Sequence, residues 1–345
     1  MLLVILGAGA SYDSVPAYPV AEKSGGLARP PLADELFENR PIFREGMSRF
    51  LALHPIVPLL QRRHGIPLEQ KLQELAQEAP VYPERYKQLM AVRYYLQYIL
   101  WRGEDEWVRD VAVQVTNYRA LLDQIDRWRT DDQPVCLVTF NYDRLIEHAL
   151  RGADIAIEKM SDYVASPRFK FFKVHGSINW VRTVRAQELP TEHSGHQWAA
   201  ANLVIENAAT LSFSKEYALA AEYPSGINGQ EYVAPAIAIP LEDKTDFECP
   251  ADHLGLLQHL LPQTDRLLVV GWRATEQHFL RMLHAGLKAP IRCHIACGNK
   301  QAGEETAGRL LAAGIGGDYV VSDSGFTDMI TRRELDRFLC ASTQG

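Results

Sequence analysis

Four short apolar runs mark the chain at 2–6, 135–139, 267–270 and 291–296, and each stops at turn-forming or polar residues. Weaker runs at 169–174 and 319–321 add a fifth and a sixth candidate. Continuous apolar runs without strict alternation predict strands buried on both faces, the pattern of a parallel sheet sandwiched by helices. Helical spacing follows most of them, over 143–151, about 275–287 and 301–313. Strand–helix alternation of this kind predicts an α/β chain with a doubly wound, Rossmann-like parallel sheet.

The stretch between the first two runs has a different period. "RYKQLMAVRYYLQYILWRG" and "WVRDVAVQVTNYRALLDQIDRWR" repeat apolar residues every three or four positions, as amphipathic helices do. The expected organisation is a sheet domain over 1–30 and 131–330, a mainly helical insertion over 31–130, and a C-terminal helix or tail over 331–345. Within the sheet domain, 185–232 reads as an irregular insertion rich in turn chemistry such as "YPSGINGQ". Tyr94, Tyr95, Tyr98 and Trp101 share helical spacing, which fits a core stripe or a contact between subunits.

Bulk composition narrows the picture. Of 345 residues, 47% are hydrophobic and 23% charged, the balance of a globular protein with a sizeable core. The net charge of −7 supplies no global attraction to a phosphate backbone, so direct nucleic-acid contact is not expected. Five cysteines without a C-x-x-C pair argue against a disulfide framework and for a reducing, cytoplasmic compartment. No apolar run approaches the ~18–20 residues of a membrane span. "MLLVILGAGAS" lacks a basic leader region and breaks at a glycine, which predicts a first core strand.

Candidate chemistry gathers where the strands end. Gly7, Ala8, Gly9, Ala10 and Ser11 follow the first run. Gly7 permits a tight exit, Gly9 lets backbone approach a diphosphate, and Ser11 offers a hydroxyl. The third glycine of a dinucleotide fingerprint is missing, because Tyr12 stands there. Asn141 and Asp143 follow the second run; Asp143 is equally suited to cap the next helix. His175 and Gly176 follow "FKV", and Gly271 with Trp272 follows "LLVV". Ligands of open α/β sheets bind beyond such strand ends.

The ordered set GAGAS (7–11), TFNYD (139–143), KVHGS (173–177) and VVGW (269–272) resembles the sirtuin-like fold. Within it, the Asn-Tyr-Asp form resembles the bacterial NAD-hydrolase branch linked to phage defence, where protein deacylases carry Gln-Asn-Ile-Asp. "RPPLADELF" (29–37) resembles the same branch. The resemblance implies NAD as substrate, with its diphosphate over Gly7–Ser11 and its nicotinamide riboside near Asn141, Asp143 and His175. It gives Asn141 the ribose or the attacking water, His175 the role of base and Asp143 the carboxamide. Gly271 and Trp272 would lie on the diphosphate or adenosine side, and Asn299 is either an adenosine-ribose contact or a turn residue.

The resemblance further implies an effector that depletes NAD under control of oligomerisation or a partner. The expected assembly is a homo-oligomer, with a hexameric HerA-type translocase ATPase or a short Argonaute as partner. NAD-dependent protein deacylation and a non-catalytic nucleotide-binding subunit of an ATPase complex are the alternatives. Deacylases carry a zinc ribbon of two cysteine pairs that this chain lacks, and no metal is expected. "HSGH" (193–196) is a weak pair of ligands, and "DKTDFECPAD" (243–252) reads as a solvated loop.

Overall fold

A computed structural model describes residues 1–15, 29–62, 65–111, 116–130, 134–185, 189, 198–220, 227–228, 231–239, 247–288 and 290–340. The chain forms two compact units. The first comprises Met1–Ala17, Trp107–His175 and Lys244–Gly345, and the second Tyr18–Glu106 and Gly176–Asp243. The strands are β1 (Leu2–Leu6), β2 (Val135–Thr139), β3 (Phe169–Lys173), β4 (Gly176–Arg185), β5 (Ser212–Phe213) and β6 (Ala218–Leu219). They continue as β7 (Ile227–Asn228), β8 (Glu231–Ile237), β9 (Arg266–Val270), β10 (Ile291–Ala296) and β11 (Gly317–Val321).

The first unit holds a six-stranded sheet in the order β11-β10-β9-β1-β2-β3, parallel throughout. All six strands are those that the apolar runs predict. Every residue of β1, β2 and β9 is buried, which is why these segments carry no alternation. From β1 the chain steps outward through β2 and β3, then returns to β9 on the other side and steps outward again. The order therefore reverses between β1 and β9, the switch point at which such sheets open a crevice.

Register sets the level of each strand end. Leu6 pairs with Thr139 and with Val270, and Thr139 pairs with Lys173. Gly7, Phe140, Val174 and Gly271 thus leave the sheet at one level, and Asn141 and His175 lie one residue further on. Behind this edge, Ile5, Val138, Val269, Phe279 and Leu283 form part of one continuous core. Each such fully buried side chain contributes about 1.5–3 kcal/mol.

The helix expected over 143–151 begins two residues later, and that expected over 301–313 begins one residue earlier. Leu145–Gly152 starts where the Leu145 amide donates to Asp143 Oδ1 at 3.1 Å. Lys300–Ala312 is capped by Asn299, whose side chain accepts from the Ala302 amide at 2.9 Å. The turn reading of Asn299 is therefore the one its geometry serves. Among the described residues, no helix is long and apolar enough to cross a membrane.

The second unit is built on the long helix Glu84–Val111 as far as residue 106 and on β4 paired antiparallel with β8. Three members of the aromatic stripe are core, since Tyr94, Tyr95 and Tyr98 are buried, whereas Trp101 is half-buried. Tyr94 donates its hydroxyl to the Val233 carbonyl at 2.9 Å, and Tyr95 donates to the Leu36 carbonyl. Phe37, from the "RPPLADELF" stretch, stacks on Tyr95 with ring centroids 4.9 Å apart. The segment read as an irregular insertion contributes the helix Ala199–Glu206 and the short strands β5–β7.

Candidate functional site

At the switch point the backbones following β1 and β9 touch. The Gly7 amide donates to the Val270 carbonyl at 3.0 Å and the Gly9 amide to the Gly271 carbonyl at 3.1 Å. A Cβ on Gly7 would stand 2.5 Å from the Gly271 carbonyl oxygen, and one on Gly9 2.9 Å from the Gly271 Cα. Gly271 has φ +61, a left-handed conformation suited to glycine. The three glycines thus answer first to one another. On the side where a Cβ would project, Gly9 faces Gly271. The Gly9 and Ala10 amides are engaged within the protein, the latter with the Gly7 carbonyl at 2.9 Å. The helix Ala8–Ser14 begins immediately, placing Ala10 and Ser11 on its buried side.

Asn141 binds this loop to the end of β2. Its Nδ2 donates to the Gly7 carbonyl at 2.9 Å and to Ser11 Oγ at 2.8 Å, and lies 3.3 Å from Tyr118 Oη. Because a carbonyl only accepts, Gly7 settles which way the amide faces and turns Oδ1 away from the loop. The Asn141 backbone amide donates to Thr139 Oγ1 at 3.1 Å. Ser11 Oγ also shares a hydrogen bond of 2.9 Å with Tyr118 Oη. Ser11, Tyr118 and Asn141 are all buried. Burial pushes the Tyr118 phenol well above its ordinary pKa, as does the charge of Asp143, while hydrogen bonding with Ser11 and Asn141 acts the other way. Tyr118 therefore keeps its proton.

Asp143 is buried too, and burial raises its carboxyl above the usual range. The Lys173 charge opposes that shift, as do hydrogen bonds from Ser11 and the Leu145 amide. Lys173 is completely buried; its Nζ donates to the Asp143 carbonyl and pairs with Glu147 Oε1 at 3.0 Å. Tyr163 donates to the same Glu147 oxygen at 3.1 Å. A buried lysine thus sits beneath the turn that carries Asn141 and Asp143.

His175 lies among rings. Its imidazole packs edge-on to Phe140 at 4.8 Å and lies 6.4 Å from Tyr142 and 6.5 Å from His278. Its backbone bridges to the buried Glu248. Phe140 in turn stacks on Trp272 at 5.1 Å and 7°. The Trp272 indole is buried and donates to Glu276 Oε2 at 2.6 Å. Its side chain therefore belongs to the core beneath the strand ends.

Of the residues singled out in the sequence, Gly7, Ser11 and Asn141 are joined by direct hydrogen bonds, and Gly7, Gly9 and Gly271 by backbone contact. Asp143 joins them through Ser11. His175 reaches the group through Phe140 and the ring cluster. Tyr118 and Lys173 were not singled out. Tyr118 occupies one apolar position of an amphipathic helix, Asn117–Trp128, and its hydroxyl meets a serine 107 positions away. Two lysines, Lys170 and Lys173, interrupt the run 169–174, and only the structure shows that Lys173 is the buried one. "HSGH" lies outside the described residues, as does most of the loop 243–252. Among the described residues, no group of three or more His, Cys, Asp or Glu is placed to hold a metal ion.

Strand order, glycine contact and polar strand ends define an α/β protein of the Rossmann-like class. The stretch 135–207, which carries Asn141, Asp143 and His175, matches the family model of the SIR2-like domain. Solved structures to which the chain is similar include a Sir2 homologue in complex with NAD. It is 15% identical over 98% of this chain and 90% of that one, with a TM-score of 0.41. Sir2Tm bound to a propionylated peptide is 13% identical over 98% of this chain and 94% of that one, with a TM-score of 0.39. No curated protein matches the chain.

Proposed function

We propose that the protein is an NAD hydrolase, releasing nicotinamide and ADP-ribose. The observation that carries this reading is the posture of Asn141. Its Nδ2 is held by Gly7 and Ser11 at the C-terminal end of β2, an interior strand beside β1 and the switch point. Its Oδ1 remains as a fixed acceptor.

The chemistry needs little more. Breaking the bond between nicotinamide and ribose leaves positive charge on the sugar, while the departing pyridine is a neutral base that requires no strong acid. Asn141 Oδ1 would accept from the attacking water or a ribose hydroxyl, and His175 would take up one proton. Asp143 would meet the carboxamide. A group held in place by buried hydrogen bonds costs no reorganisation at the moment of reaction, and positioned acid–base groups contribute about 10²–10⁴ in rate.

The biological setting follows from the Asn-Tyr-Asp motif and its likeness to the phage-defence branch. In this reading the enzyme depletes NAD when triggered, as a homo-oligomer, together with a HerA-type ATPase or a short Argonaute. NAD turnover is to be measured for wild type, Asn141→Ala and His175→Ala, alone and with a HerA-type ATPase or a short Argonaute. Nicotinamide release is expected to fall by about 10²–10⁴ in both variants. Undiminished turnover in both would remove the site assignment. Nicotinamide release only in the presence of an acylated peptide would instead establish a deacylase.

A further inference from the structure

The helix Asn117–Trp128 is docked on the glycine-loop helix Ala8–Ser14 at two points. At one, Tyr118 Oη lies 2.9 Å from Ser11 Oγ and 3.3 Å from Asn141 Nδ2. At the other, Asn117 Nδ2 donates to the Asp13 carbonyl at 2.8 Å and to Thr327 Oγ1 at 2.8 Å. Asp13 completes the joint, because its Oδ2 accepts from the Thr327 amide at 2.7 Å. The Tyr118 ring packs edge-on against Phe326, with centroids 5.7 Å apart. A helix from the middle of the chain and a helix from its C-terminal part, Phe326–Thr331, thus converge on the loop after the first strand.

Ser11 Oγ and Asn141 Nδ2 each have more than one partner in this cluster. Asn141 Nδ2 has two protons and three acceptors within 3.3 Å: the Gly7 carbonyl, Ser11 Oγ and Tyr118 Oη. Without the phenol, Ser11 loses one of the contacts that fix its rotamer, and Asn141 keeps the backbone-fixed Gly7 carbonyl and a less constrained Ser11 Oγ. A buried hydroxyl satisfied by a single carbonyl would be an ordinary core tyrosine. This one bonds to two side chains of the candidate site at once.

We infer that Tyr118 is a positioning residue of the site: its hydroxyl locks Ser11 and Asn141 together, so that Asn141 Oδ1 is presented in one orientation to the reacting sugar. The inference rests on the NAD-hydrolase reading for its kinetic consequence, and on the hydrogen-bond cluster alone for its structural one. Tyr118 touches neither substrate nor water in this role; it acts through Asn141. Displacing a reacting group by about 1 Å costs on the order of 10²-fold in rate, whereas ground-state binding through other contacts is preserved.

The test is Tyr118→Phe, which removes the hydroxyl and keeps the ring against Phe326. Tyr319→Phe is the control, since it deletes a hydroxyl that donates to the Ile315 carbonyl at 2.6 Å beside the edge strand β11. Tyr118→Phe is expected to lower kcat for nicotinamide release by about 10–100-fold with KM for NAD changed less than twofold. Tyr319→Phe is expected to leave both unchanged. A Tyr118→Phe enzyme with wild-type kcat would overturn the inference and leave the tyrosine a structural residue.

A second readout needs no NAD. With asparagine-selective labelling, the Asn141 side-chain amide signal is assigned by its loss in Asn141→Ala, and its hydrogen exchange is followed. Exchange is expected to be at least about tenfold faster in Tyr118→Phe than in wild type, as for a buried hydrogen bond that opens more often. Unchanged exchange overturns the inference whether or not the wild type hydrolyses NAD. Accelerated exchange in a protein without NAD turnover would uphold the lock and remove the proposed reaction.

Discussion

Gly271→Ala is expected to lower the unfolding free energy by about 3–5 kcal/mol. Two effects add. The residue sits at φ +61, where a Cβ costs about 1–2 kcal/mol in steric strain. The added methyl would also run into backbone, with the Gly9 carbonyl carbon at 2.5 Å and the Ala10 nitrogen closer still. Backbone cannot rotate aside as a side chain can, so the loops after β1 and β9 must separate. That separation breaks the hydrogen bond from the Gly9 amide to the Gly271 carbonyl. Urea titration measures the loss, read as a shifted midpoint at constant slope.

Gly255→Ala supplies the contrast. It lies inside the helix Ala251–Leu260 with no atom within 4 Å of the new methyl. There the substitution is expected to stabilise by about 0.5–1 kcal/mol. Equal effects at the two sites would contradict the close approach.

Lys173→Met is expected to cost about 3–5 kcal/mol near neutral pH. The substitution preserves apolar bulk and removes the cation. Glu147 then loses its ion-pair partner, and the Asp143 carbonyl loses a donor. Asp143 also loses the charge that opposes the upward shift of its pKa. The sign follows from that shift. A carboxyl whose folded pKa is raised favours the folded state below the unfolded value, and this contribution is lost as pH rises through the folded pKa.

The deficit of Lys173→Met relative to wild type should therefore be largest at neutral pH. It should shrink as pH falls toward the ordinary carboxylate range, where Asp143 is neutral in both proteins. Denaturation curves from neutral pH down to the ordinary carboxylate range check this. A deficit independent of pH would mean that Lys173 acts by packing alone. Adding Glu147→Gln to Lys173→Met should recover part of the loss, because the two residues share one ion pair.

The strands were legible because burial on both faces removes alternation and leaves runs such as 2–6 and 135–139 plainly apolar. Their edges were less so. β9 begins at Arg266, one residue before the apolar run, where the guanidinium lies 5.3 Å from the Trp128 ring centroid. β11 begins at Gly317, two residues early, because register with Ile291 extends it. Pairing, which hydropathy does not encode, set both limits.

Asn141, Ser11 and Gly271 could be singled out because each follows a strand, and parallel strands bring their C-terminal ends to one edge. Trp272 shared that signal. Its backbone is at the edge, yet its indole turned inward to Phe140, a choice that depends on neighbours from other strands. Asp143 kept both readings: it receives the Leu145 amide as a turn residue would, and it faces Ser11 and Lys173.

By itself, the order of apolar runs and helical stretches determined the parallel α/β sheet and the edge at which polar strand ends collect. Only the tertiary structure decided what those ends do to one another. It showed that three glycines are required by backbone contact, that Asn141 is held through Gly7 and Ser11, and that Tyr118 and Lys173 complete the group. The reason is physical. Burial of apolar side chains depends on residue type and local period, both written in the sequence, whereas a hydrogen bond depends on distance and direction between atoms that folding alone brings together.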